Sequence, residues 1–298
     1  MSEFDDLFIT EQEHKENKVY HPYDKDQWIA KKKQERSDAF TLLEEATKEA
    51  VSSPEKFVDY LGVQAQFDRY SVGNALLVAK QYPNALKLAD YDTWKDQGIF
   101  VKKGENGIVI MEPGSEYTRE DGSTGFHMNV KKVFDISQTS AEANGVDVHT
   151  PEIRTLLKAL MAESPVDMKI STILPEGENA QYSHDDKTIY FRQGMDGDEI
   201  FRCMAQNVIL AKADEKGNME GMQFAAYCAS FMLCERYGVK EDGYSFEGVS
   251  ELFKDMDPKQ IREDLNAIRN AANEIAQGID KTLYPRDRAE KPRESDAR

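Results

Sequence analysis

Apolar residues recur every three or four positions over the first third of the chain, and this periodicity predicts three helices. The first lies within residues 26–53, and the second begins at Ser53-Pro54, an N-cap followed by proline at the first helical position. The third ends at Pro83. A short helical turn over residues 92–98 follows and is closed by Gly98.

Beyond residue 98 the pattern changes to strands and turns. Residues 99–113 predict strand, turn and strand, with Gly104 and Gly107 bracketing the turn. An Asp-Gly turn at 121–122 leads into a strand over residues 126–137, in which apolar and polar residues alternate. The first half is therefore expected to be a group of helices followed by an antiparallel meander.

A second unit follows a polar, small-residue linker. Thr150-Pro151 is expected to cap a helix, which is followed by a strand at 166–174, a loop at 175–186 and a strand at 187–192. Two apolar helices come next, and a last helix begins at Asp257-Pro258.

These elements predict an α+β protein with two domains, one of helices plus an antiparallel sheet and a second α+β domain. The expected divisions are an acidic flexible lead-in at 1–25, the first domain at 26–138, a linker at 139–149, the second domain at 150–280 and a disordered tail at 281–298.

Charge is unevenly distributed along the chain. The net charge is −17, made up of −7 over residues 1–68, +1 over 69–133 and −11 over 134–298. A nucleic-acid surface is therefore expected in the middle third, if anywhere. The chain shows no secretory signal and no run of about 18 apolar residues, so we expect a cytoplasmic protein without a membrane partner. The three cysteines fit no zinc pattern and are interpreted as buried free thiols.

Aromatic and basic residues interleave in residues 69–113. Single-stranded nucleic acid is commonly bound in this way, because aromatic faces stack on bases and cations contact phosphates. The alternative interpretation is that Trp94, Tyr82 and Phe100 belong to the core and the lysines to a solvated rim. The interleaved residues are Arg69, Tyr70, Lys80, Tyr82, Tyr91, Trp94, Lys95, Phe100, Lys102 and Lys103.

The helix over residues 201–214 lies where many small metalloproteases carry His-Glu-x-x-His, but the corresponding positions hold Gln206, Asn207 and Leu210. None of these side chains offers a good zinc ligand or a general base. His184 is expected to be a solvated loop histidine. We therefore predict no metal, no cofactor and no catalytic residue; a residual peptidase using His184, Asp198 or Glu199 is the alternative.

The middle third also resembles a known family. Residues 69–113 are similar to the N-terminal domain of ArdC-type antirestriction proteins, in the LtrC-like branch of conjugative elements from Gram-positive bacteria. The similarity extends to about residues 35–275 and includes Arg236-Tyr237-Gly238. It rests on Gly73-Asn74, Leu76-Leu77, Gln81-Tyr82-Pro83, Thr93-Trp94-Lys95, Gly98, Val101-Lys102-Lys103-Gly104-Glu105, Gly107-Ile108 and the strand Asn129 to Asp135.

This resemblance implies a single-stranded DNA-binding domain followed by a zincin-like domain, here without its metal motif. We expect a non-enzymatic, largely sequence-independent DNA-binding protein of a mobile element that protects transferred DNA. The expected contacts are Arg69, Tyr70, Asn74, Lys80, Gln81, Tyr82, Trp94, Lys95, Lys102, Lys103, Lys131 and Lys132, with Trp94 and Tyr82 as stacking groups. A conjugation or restriction protein is the expected partner of the acidic second half. The alternative function is an acidic interaction or DNA-mimic module.

Overall fold

The computed structural model describes residues 25–119, 121–141 and 150–285. It is an α+β structure, as predicted. The predicted lead-in, most of the linker and most of the tail lie outside the described residues. The helices are α1 (Lys25–Ala50), α2 (Pro54–Gln66), α3 (Val72–Gln81), α4 (Tyr91–Asp96), α5 (Ile153–Ala162), α6 (Gly197–Glu215), α7 (Met222–Tyr237), α8 (Val249–Leu252) and α9 (Pro258–Leu283).

The helices of the first half begin where the capping signals predict. The Ser53 side chain accepts a hydrogen bond from the Lys56 amide at the start of α2, and Pro54 occupies the first turn. Ser71 caps α3 in the same way, and Asp90 caps α4 through the Thr93 amide. Three predicted helices and the short fourth are thereby confirmed.

The first sheet consists of β1 (Leu88–Ala89), β2 (Ile108–Thr118) and β3 (Thr124–Asp135), in the order β1-β3-β2. Both pairings are antiparallel, with Val109 opposite Lys132 and Leu88 opposite Asp135. The expected strand at 99–103 is wrong. This segment forms an isolated bridge from Val101 to Thr139, because β1 already occupies the β3 edge at that end.

The second sheet consists of β4 (Asp167–Ser171), β5 (Ala180–Ser183) and β6 (Thr188–Arg192), in the order β4-β6-β5. Strand β4 is parallel to β6, and β5 is antiparallel to it. Strand β5 lies inside the predicted loop 175–186, so that prediction is wrong. The helix cap expected at Thr150 is also wrong. The cap of α5 is Glu152, whose side chain accepts a hydrogen bond from the Thr155 amide.

The two halves share one apolar core. Phe57 of α2 lies 5.3 Å from Phe246 and 6.2 Å from Phe253, measured between ring centroids. Helix α9 begins at the predicted Asp257 cap and extends through Leu283, so the tail predicted from residue 281 begins at least three residues too early. Within the described residues, no helix is both long enough and apolar enough to cross a membrane.

Helix α9 also holds the first half through polar contacts. The Arg269 guanidinium donates to the backbone carbonyls of Tyr70, at 2.8 Å, and Asp68, at 3.1 Å. Arg262 lies 3.0 Å from the Glu44 carboxylate on α1. These contacts cross from residues 258–283 to residues 44–70, so the position of α1–α3 depends on the last helix.

Candidate nucleic-acid interface

Two side-chain amides of α3 complete the open edge of β2. Asn74 donates to the Met111 carbonyl at 2.8 Å and accepts from the Met111 amide at 2.9 Å. Gln81, two turns later, donates to the Val109 carbonyl at 3.0 Å and accepts from the Val109 amide at 2.9 Å. Both amides therefore act as substitutes for a neighbouring strand. These bonds to β2 occupy both ends of each amide and give the two side chains a structural role, while their contact with DNA stays a prediction.

Trp94 is a core residue. Its side chain is 0% exposed, and its Nε1 donates to the Phe134 carbonyl at 2.9 Å. Helix α4 is short and capped by Asp90, so the residue four positions beyond the cap faces the β3 strand. The expected stacking of a base on Trp94 is therefore wrong. The Lys87 ammonium lies 5.5 Å from the centre of its ring and covers it from the solvent side.

A buried carboxylate, Asp135, organises the loops on this side of the sheet. It is 0% exposed. Its Oδ2 accepts from the amides of Leu86 at 2.7 Å and Lys87 at 2.9 Å. Its Oδ1 accepts from the amide and the hydroxyl of Ser137, at 3.0 and 2.7 Å. One side chain thus fixes both the segment after α3 and the 3₁₀ turn Ile136–Gln138.

Ser137, held by Asp135, in turn contacts two of the predicted DNA-binding residues, Tyr82 and Lys102. Its hydroxyl lies 2.7 Å from the Tyr82 hydroxyl. Its carbonyl accepts a hydrogen bond of 2.9 Å from the Lys102 ammonium. Tyr82 is only partly buried and Lys102 is exposed, so both remain at the surface while their orientation is fixed.

Tyr82 and Lys103 line one open groove of about 560 Å³, which we call the turn groove. Its walls are the end of α3 and the turn between Lys103 and Ile108, and Gln138 lies at its base. Gly107 in this turn lies so close to β3 that a Cβ atom there would be 2.9 Å from the Cβ of Lys132. The structure therefore brings Tyr82, Lys102, Lys103 and Lys132 to one region.

Other predicted cations are neutralised by acidic neighbours. Lys131 lies 2.8 Å from Asp90 and 3.0 Å from Glu112. The hydrogen bond from Lys131 lowers the pKa of Asp90 to about 2. Lys80 lies 2.6 Å from Glu49, whose hydrogen bond raises the pKa of the lysine. These pairs weaken the expected attraction of Lys80 and Lys131 for phosphate.

Arg69 and Tyr70 lie away from the turn groove, at the contact between the two halves. Arg69 is exposed, and the Tyr70 carbonyl is bonded to Arg269. The Tyr70 ring stacks on Phe67 at a centroid distance of 5.5 Å. Burial raises the pKa of the Tyr70 hydroxyl. The structure therefore does not bring these two residues together with Tyr82 and Lys103.

The exposed cations and aromatic rings of the first half differ in part from the expected set. Lys95, Lys103 and Lys132 are exposed, and their ammonium groups have no ion pair or hydrogen bond among the described residues. Phe100 is 57% exposed and Tyr91 is 52% exposed, so these two rings are available where Trp94 is not. Both rings belong to the interleaved aromatic and basic residues of the sequence, but helical spacing does not separate Tyr91 from Trp94, because residues three apart lie on the same face of a helix.

Helix α6 does not offer a metal site at the positions expected from the zincin pattern. Asn207 is buried and its amide donates to the Cys203 carbonyl at 2.8 Å, while Leu210 packs against the core. Gln206 is a neutral amide. Within the described residues, no group of three or more His, Cys, Asp or Glu side chains is arranged to hold a metal ion. The side chains at 206, 207 and 210 therefore do not fit a hydrolytic metal.

His184 belongs to a polar cluster at the far end of α6. Its Nδ1 lies 2.8 Å from the Asp214 carboxylate, which also accepts from Lys187 and Tyr182 at 2.5 Å. These hydrogen bonds, led by that from Lys187, hold the pKa of Asp214 well below its usual range. The His184 side chain is 59% exposed, as expected for a solvated loop histidine. Its orientation is fixed by the contact with Asp214.

Comparison with known proteins places this geometry in a family context. Residues 40–153 match the family model of the N-terminal domain of anti-restriction factor ArdC. The predicted resemblance to ArdC-type proteins is thereby confirmed. An uncharacterized protein of Bacillus anthracis is 37% identical over 62 residues, which is 21% of this chain and 10% of that protein. The match thus spans about a tenth of that relative's length.

Two crystal structures of the antirestriction ArdC protein from the R388 plasmid are similar at 18% sequence identity. The Mn(II)-bound structure gives a TM-score of 0.50 and covers 74% of this chain and 97% of that protein. The metal-free structure gives a TM-score of 0.47 and covers 72% of this chain and 84% of that protein. At this level of identity, the Mn(II)-bound structure supports a shared fold.

Proposed function

We propose that this chain is a non-enzymatic protein of the ArdC antirestriction type, carried by a mobile element, that binds single-stranded DNA largely without regard to sequence. Its contact surface is the turn groove with the exposed residues around it. This proposal rests above all on one observation, the fixed presentation of Tyr82 and Lys102 by Ser137 beside the free ammonium of Lys103. The family match over residues 40–153 supports the antirestriction role.

The groove has the two kinds of group that sequence-tolerant binding requires. Within the groove, Tyr82 offers an aromatic face and Lys103 a positive charge, beside the carboxylate of Glu105. The exposed Phe100, Lys102 and Lys132 on the neighbouring segments would add a second aromatic face for bases and further charge for phosphates. Two of the predicted polar contacts, Asn74 and Gln81, are committed to the β2 edge, which leaves Asn106 as the exposed side-chain amide in the groove. Such a surface distinguishes strands by flexibility and stacking rather than by base edges.

The acidic remainder of the chain sets the expected strength of binding. The net charge of −17 repels phosphates at long range, and salt screens both this repulsion and the local attraction. We therefore expect weak binding that falls as salt rises, with a slope set by a modest number of phosphate contacts. For single strands, each neutralised phosphate contributes about 0.7 to the slope of log affinity against log salt.

The test is fluorescence anisotropy of a labelled oligothymidylate against the full chain at several salt concentrations. Lys103→Ala should weaken binding and reduce the salt slope by about 0.7, the contribution of one phosphate. Phe100→Ala should weaken binding by about 1–3 kcal/mol, the contribution of one stacked base, while leaving the salt slope unchanged. The matched control is Lys158→Ala, which removes the same charge from an exposed position on α5.

If Lys103→Ala and Lys158→Ala lost the same amount of affinity, the loss would be explained by the change in net charge, and a local contact of Lys103 would be contradicted. Absence of binding by the parent chain at low salt would contradict the proposal itself. Inhibition of a restriction enzyme without any DNA binding would instead favour the acidic interaction module.

A further inference from the structure

A second groove lies on the other side of Lys132, between the first turns of α1 and the β3 strand. It has a volume of about 610 Å³, which is in the range of about 300–1,000 Å³ typical of ligand sites. We call it the α1 groove. It is lined by Trp28, Ile29, Lys32, Lys33, Glu35, Arg36, Asn129 and Val130.

The α1 groove combines an aromatic face with concentrated positive charge. The Trp28 side chain is 49% exposed, although tryptophan is usually well buried. Residues 25–36 contain five basic and two acidic side chains, in a chain whose net charge is −17. Folding alone does not account for this arrangement.

One cation of the α1 groove lacks a partner. The Nε of Arg36 is buried and has no hydrogen-bond partner among the described residues. Arg36 also lies four residues after Lys32, so two like charges are neighbours on one face of the helix. A buried donor without an acceptor is unfavourable, so the guanidinium of Arg36, which lines the groove, is not fully satisfied within the described residues.

The acidic group in the α1 groove does not cancel this charge. Glu35 lies 2.7 Å from Lys32, so each neutralises the other. Lys31 and Lys132 act on the same carboxylate, and together with the Lys32 hydrogen bond they lower its pKa. Lys33 and Arg36 remain without an ion pair among the described residues.

Lys132 therefore lies between the two grooves. Its Cβ is close to Gly107 in the turn groove, and it follows the β3 residues Asn129 and Val130, which line the α1 groove. Val130, two residues earlier on the same face of β3, lines the α1 groove. A single strand leaving the turn groove past Lys132 would reach Trp28 without crossing the sheet.

We propose that the α1 groove is a second subsite for single-stranded DNA, in which a base stacks on Trp28 and the neighbouring phosphates contact Lys33 and Arg36. This inference rests on the proposed function, since it extends the same strand. The α1 groove supplies the exposed tryptophan that the turn groove does not have.

The two tryptophans make a direct test possible. Trp28 is half exposed and Trp94 is fully buried, so a bound base quenches the emission of the first and not of the second. Titration of unlabelled oligothymidylate into the full chain should quench the exposed component. Trp28→Phe should abolish the quenching but retain binding by anisotropy, because phenylalanine still offers a stacking face.

Affinity provides the second readout. Trp28→Ala should weaken binding by about 5- to 150-fold, the equivalent of one stacked base. Lys33→Ala should lower the salt slope by about 0.7. Lys48→Ala, an exposed lysine near the other end of α1, is the matched control and should change neither. Circular dichroism of each variant excludes loss of the helix.

The outcomes separate this inference from the proposed function. Suppose that anisotropy shows binding while the Trp28 emission does not change, and that Trp28→Ala binds with the parent affinity. This result would overturn the subsite and leave the turn groove as the contact surface. No binding by the parent chain would overturn both. Protection of Trp28 from iodide in the free chain would show that another part of the chain fills the groove, and this too would overturn the proposal.

Discussion

Asp135 is the residue whose replacement tests the organisation of the site most directly. In Asp135→Asn one of its oxygens becomes an NH₂ group. If the remaining oxygen faces Leu86 and Lys87, the new NH₂ faces the Ser137 amide, which then has no acceptor. The Ser137 hydroxyl can rotate to accept, so one buried N–H is left unsatisfied.

The size of the effect follows from this count. A buried unsatisfied donor costs about 1–3 kcal/mol, and hydrogen bonds to a charged acceptor contribute about 1.5–3 kcal/mol each. Asp135→Asn should therefore lower the free energy of unfolding by about 2–4 kcal/mol, against a total of about 5–15 kcal/mol for a typical protein. Binding of single-stranded DNA should fall as well, because Tyr82 and Lys102 both depend on Ser137.

The assay is urea unfolding in a Trp28→Phe background, where Trp94 is the only tryptophan and reports on the neighbourhood of Phe134. The control is Asp121→Asn. Asp121 accepts from the amide and the hydroxyl of Ser123, at 2.9 and 2.6 Å, in the same local pattern but at an exposed turn. Water replaces the lost bonds there, so only a small fraction of the Asp135 effect is expected. If the free energy of unfolding of Asp135→Asn lay within about 0.5 kcal/mol of the parent value, at unchanged m, this reasoning would be refuted.

Three further predictions follow from buried or paired groups. Trp94→Ala should lower the free energy of unfolding by about 3–5 kcal/mol. If this variant kept the parent stability but lost DNA binding, Trp94 would be a DNA contact after all. Gln81→Ala should cost about 1–3 kcal/mol, because Val109 loses both partners of its backbone groups; unchanged hydrogen exchange at Val109 would contradict it. Burial and the Glu235 carboxylate raise the pKa of Glu241 to about 8. Stability should therefore fall as pH rises from about 4.5 to 8, and Glu241→Gln should flatten this dependence in pH-resolved thermal unfolding.

The helices were predictable because their signals are local. Ser53-Pro54 and Asp257-Pro258 place capping residues within three positions of the amides they satisfy. The sheet register was less accessible, since the segment at 99–103 pairs with residues 138–140, almost forty positions away. Strand β5 was missed because its four residues lie in a polar stretch without alternation.

The candidate site was predictable in region but not in detail. Tyr82 and Lys103 line one groove, and the Lys102 ammonium is bonded to Ser137 beside Tyr82, while their contact with DNA stays a prediction. The roles of Asn74 and Gln81 depend on partners 37 and 28 residues away, which periodicity does not reveal. Trp94 illustrates the same limit, because its burial is decided by a carbonyl forty residues later.

The second half acts on the proposed surface through packing that does not require metal ligands. The buried face of α6 includes Phe201 and Val208, whereas Gln206 and Leu210 lie at its partly exposed margin. Phe57 of α2 packs against aromatic rings of the second half, and Arg262 of α9 forms an ion pair with Glu44 of α1. The buried amide of Asn207, the third of these positions, is satisfied within α6 by the Cys203 carbonyl. We infer that a chain without metal-ligating side chains at these three positions retains this support, and that the support keeps α1, the turn groove and β3 in the relative positions that a bound strand would need.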